Sequence, residues 1–77
     1  MTKDEMVILG EIVQELLAKA DEFAKKSKGP QKMSDIEQGQ FLQTLSTISM
    51  FQSYLMPYGL QNFGLDFDPD DRFRKTA

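Results

Sequence analysis

Along the first third of the chain, Met6, Leu9, Val13, Leu16, Ala20 and Phe23 recur at alternating spacings of three and four. That spacing places them on one stripe of an α-helix, as in a coiled-coil seam or an antiparallel helix pair. Ile8, Ile12, Leu17 and Ala24 flank the stripe and widen it. A face that wide implies contact with more than one neighbouring element. Thr2 and Glu5 have capping-box spacing, and Gly29-Pro30 is a stop signal, so the pattern predicts a helix over about 3–28. On its polar side Glu15 with Lys19, Asp21 with Lys25 and Glu22 with Lys26 are favourable i,i+4 pairs. Lys25, Lys26 and Lys28 suit the negative end of the helix dipole. Gly10 interrupts this helix, either to admit a closely packed neighbour or as a tolerated weak spot.

A second pattern follows. Ser34 and Glu37 repeat the capping-box spacing, with Asp35 in the first turn. Phe41, Leu45, Ile48, Gln52 and Leu55 form a seam, with Leu42, Phe51 and Met56 beside it, predicting a helix over about 35–56. Gly39 weakens its first turn. Gln52 inside the seam is either a device that fixes register or an amide partly exposed near one end of the bundle. Met50, Tyr54 and Ile36 lie on the opposite face with Gln43 and several hydroxyls, and they cannot all pack against the first helix. This second helix therefore reads as sandwiched between the first helix and something else.

Pro57, Gly59 and Gly64 end the helical pattern. The segment 58–77 is irregular yet rich in large apolar groups: Leu60, Phe63, Leu65, Phe67 and Phe73. Asp68-Pro69-Asp70-Asp71 reads as an N-cap, a first-turn proline and two dipole-favoured carboxylates, so a short terminal helix is expected there. The fold class is all-α: an antiparallel helical hairpin with an irregular or short-helical C-terminal segment. It is expected as a single small domain over 1–77, assembled into a homodimeric helical bundle.

Composition narrows the function. A chain of 77 residues with no cysteine and no histidine lacks the usual disulfide or metal staple of a small domain. Association is the remaining source of extra burial. The net charge is −3, and the second helix has no Arg or Lys, so a nucleic-acid interface is not expected. Gly39 to Leu65 carries no charge, but its Gln, Asn, Ser and Thr residues and its proline suit burial against protein better than against lipid. The opening residues lack the basic and apolar regions of a signal peptide, and a cytoplasmic location is expected.

Catalysis has little support, because the usual general base and thiolate nucleophile are missing. The hydroxyls of Thr44 to Ser53 have no lysine or carboxylate among them. Asp66, Asp68, Asp70 and Asp71 superficially resemble a calcium loop, but Asp71 and Ala77 stand where glycine and glutamate are required. No cofactor and no metal is expected.

These features predict a small non-enzymatic protein–protein interaction module, a regulator or adaptor acting through helix 2 and the C-terminal segment. The expected partner-binding residues are Met50, Tyr54, Phe63, Leu65, Phe67 and Phe73, with Asp66, Asp68, Asp70 and Asp71 meeting basic groups around the pockets. The tail has a competing role, completion of the hairpin's own core. The partner is a second copy, a heterologous protein, or both. The alternatives are a self-assembling structural subunit and a membrane-associated small protein.

Overall fold

The computed structural model describes residues 1–30 and 32–74. Helix α1 runs Lys3–Lys28 and helix α2 runs Asp35–Leu55; among the described residues there is no strand. Both helices begin at full capping boxes. The hydroxyls of Thr2 and Ser34 accept from the N–H groups of Glu5 and Glu37, and each glutamate accepts in return from the backbone N–H of its capping residue. Lys25, Lys26 and Lys28 occupy the last turn of α1, where cations offset the dipole. Helix α2 is continuous through Gly39, because the capping box secures the turn that glycine weakens. At its far end Pro57 converts the chain to a tighter 3₁₀ turn over Met56–Tyr58.

The chain then reverses. A 3₁₀ turn over Leu60–Phe63 ends at Gly64, which is left-handed at φ 70°. The Leu65 N–H donates to the Leu60 carbonyl at 3.0 Å and the Gly64 N–H to the Gln61 carbonyl at 3.4 Å, the Schellman pattern. A β-carbon at Gly64 would be both strained and only 3.2 Å from Gln14 Nε2. This turn sends the tail back along the helices to a final π-helical turn over Asp70–Arg74. The predicted tail segment extends to residue 77, and its last three residues lie outside those described.

One core joins the three parts. Val13, Leu17, Ala20 and Ala24 come from α1; Phe41, Leu45, Ile48 and Leu55 from α2; Phe63, Leu65 and Phe73 from the tail. Phe73 and Leu65 are fully enclosed, as are Ile48 and Val13. Burying each such side chain contributes about 1.5–3 kcal/mol. The tail is therefore a third packing layer. Buried Thr44 is satisfied by donating to the Gln40 carbonyl at 2.8 Å.

The centre of the α1 face differs from the predicted stripe. Leu17 and Ala24, expected at its margin, are buried, while Met6, Leu9, Leu16 and Phe23 are only partly covered. The cause is the tail, which packs on the Leu17 side: Arg72 reaches Asp21 at 3.6 Å, and Gly64 lies against Gln14. The wide apolar face of α1 thus meets two elements, but the tail covers only one of its flanks. The predicted ion pairs within α1 yield to tertiary ones, as Lys26 pairs with Glu37 of α2 and Asp21 with Arg72. Gly10 has nothing within 4 Å of a built β-carbon, so close approach of a neighbour does not explain it.

Candidate functional site

The flank of the helix pair that the tail leaves uncovered carries an open groove of about 580 Å³. Ile12, Glu15, Leu16 and Lys19 line it from α1, and Thr47 and Phe51 from α2. Ile8, one helical turn before Ile12, is 57% exposed. On α2, Met50 and Tyr54 adjoin Thr47 and Phe51 at helical spacings of three and four. Tyr54 is 71% exposed and Met50 50%. The groove itself combines apolar Ile12, Leu16 and Phe51 with Glu15, Lys19 and Glu22. Apolar surface exposed beside polar groups in this way is a usual mark of an interaction site.

The other flank is closed by a network of specific contacts. The Gln52 side-chain amide donates to the Leu65 carbonyl at 3.0 Å and to the Phe67 carbonyl at 2.7 Å. A polar residue in the α2 seam is thereby explained by the tail it anchors. Phe67 and Phe73 meet edge to face with centroids 5.8 Å apart. The Arg72 guanidinium covers both rings, 4.6 Å from the Phe67 centroid and 5.0 Å from that of Phe73. Asp68 Oδ1 accepts from the Asp70 N–H at 2.9 Å, and Asp70 pairs with Arg74 at 3.7 Å.

The ten predicted partner-binding residues therefore separate. Phe63, Leu65 and Phe73 turn inward and are enclosed by this chain, so they offer nothing to a partner of the folded molecule; their apolar bulk is used on the thin two-helix core. Phe67 is half-buried under Arg72. Asp66, Asp68, Asp70 and Asp71 are exposed, and Asp68 and Asp70 border Leu42, Ser46 and Ser49, across α2 from Thr47 and Phe51. None of the ten lines the open groove; Met50 and Tyr54 are exposed on α2, each three residues beyond a groove residue, Thr47 and Phe51. Ile12 lines the groove from α1, and Ile8 is exposed one turn before it. Their position at the edge of the apolar stripe signalled this, but sequence cannot tell which flank the tail will cover.

At the connection between the helices, Lys26 hydrogen-bonds the Glu37 carboxylate. That contact, with the Ser34 backbone N–H second, holds the Glu37 carboxyl below the usual carboxylate range. The Glu5 carboxyl is lowered in the same direction by the Thr2 side chain and then its backbone. Among the described residues no group of acidic side chains is arranged to hold a metal ion. No helix among them is long and apolar enough to cross a membrane. No family model, no curated protein and no solved structure matches the chain.

Proposed function

We propose that the chain is a small non-enzymatic protein–protein interaction module, a regulator or adaptor, built as an antiparallel helical hairpin braced by its tail. The antiparallel reading is supported by contacts at both ends: Phe23 lies against Phe41 beside the connection, with centroids 5.8 Å apart, while the turn after α2 returns to Gln14 of α1. The observation that carries the functional reading is the uncovered groove lined by Ile12, Leu16 and Phe51, with Ile8 and Tyr54 exposed within a turn of it on the same helices. Burying these side chains against a partner adds the apolar area that a 77-residue chain is short of. The lack of His and Cys supports a binding role over a catalytic one.

A photo-crosslinking amino acid at Tyr54 tests this reading, with the same group at Lys25 as control. The expected result is a protein adduct from position 54, with the chain itself or with another protein of its host cell, and none from position 25. Absence of any adduct from position 54, in both the purified chain and the cell, overturns the proposal.

A further inference from the structure

We draw no further inference here: the strongest candidate, the open groove between α1 and α2 lined by Ile12, Leu16 and Phe51 with Glu15, Lys19 and Glu22, belongs to the site already described, and nothing in the structure shows what covers it.

Discussion

The two flanks of the α1–α2 pair have similar raw material and opposite fates. On one, Leu17 and Ala24 share a core with Phe63, Leu65 and Phe73, and the covering segment is anchored by Gln52, Arg72 and the Schellman turn at Gly64. On the other, Ile8, Ile12 and Tyr54 are exposed and Phe51 is only partly buried. The covered flank shows what the fold needs: an apolar plug plus directional polar contacts that hold the plug in register. The open flank offers apolar side chains with no such directional contacts over them. Substitutions on the first flank should therefore unfold the chain, and those on the second should leave it folded.

Phe73→Ala should show the contrast most strongly. Removing a fully enclosed phenylalanine costs about 3–5 kcal/mol. A core of this size rarely supplies more than about 3–5 kcal/mol in total. The variant is expected to lose its cooperative thermal transition by circular dichroism, whereas Tyr54→Ala should keep its helicity. If Phe73→Ala melts like the wild type, the tail is not a core layer and the contrast between the flanks collapses. Gln52→Ala comes next. It leaves the Leu65 and Phe67 carbonyls without their side-chain donor, at a cost of about 1–3 kcal/mol. Amide exchange should quicken in the tail before it quickens in α1, and uniform acceleration would mean that Gln52 does not act through the tail.

Gly10→Ala and Gly39→Ala reverse the sign. Neither glycine has a neighbour within 4 Å of a built β-carbon. Each replacement should therefore add about 0.5–1 kcal/mol, through helix propensity alone. For a domain of this size that raises Tm by about 4–8 °C per kcal/mol. Gly10 lies near Phe63 and Gly64, so a fall in Tm at that position would show the tail packed more closely against α1 than this fold allows.

Much of the fold was legible in the sequence, and the reason is physical. Thr2, Glu5, Ser34, Glu37, Gly29 and Pro57 act on their own backbones within one turn, so their effects are readable from spacing. The rotation of the α1 face toward Leu17 and Ala24 was not legible, because it depends on which flank receives the tail. The same holds for Gln52: its position in the seam was plain, but its acceptors lie thirteen and fifteen residues away. The candidate site was legible only in part. The exposure of Met50 and Tyr54 could be read from their lying away from the helical seam, whereas Phe63, Leu65 and Phe73 have the same composition whether they fill a core or a partner's pocket. Lys26 and Asp21 each had an eligible partner one turn away, and tertiary contact redirected both.

The smallest expected effect concerns the end of the molecule that neither flank includes. Glu37 joins the helices there through Lys26 while also completing the capping box of α2. Its carboxyl is held below the ordinary value of 4.5, first by Lys26 and then by the Ser34 backbone. A carboxylate whose pKa is lowered by folding stabilises the fold above its unfolded value, and that contribution is lost as pH falls through the lower, folded value. Glu37→Gln should accordingly lower Tm slightly at pH 7, and the gap from wild type should close as the pH is taken from above 4.5 to below the folded value. Added salt should narrow the gap at pH 7, because the contact is solvent-exposed and screened. A gap that persists unchanged to low pH would assign the loss to the amide's geometry at the cap. A gap that tracks protonation assigns it to the charge that fastens α1 to α2, independent of which flank is covered.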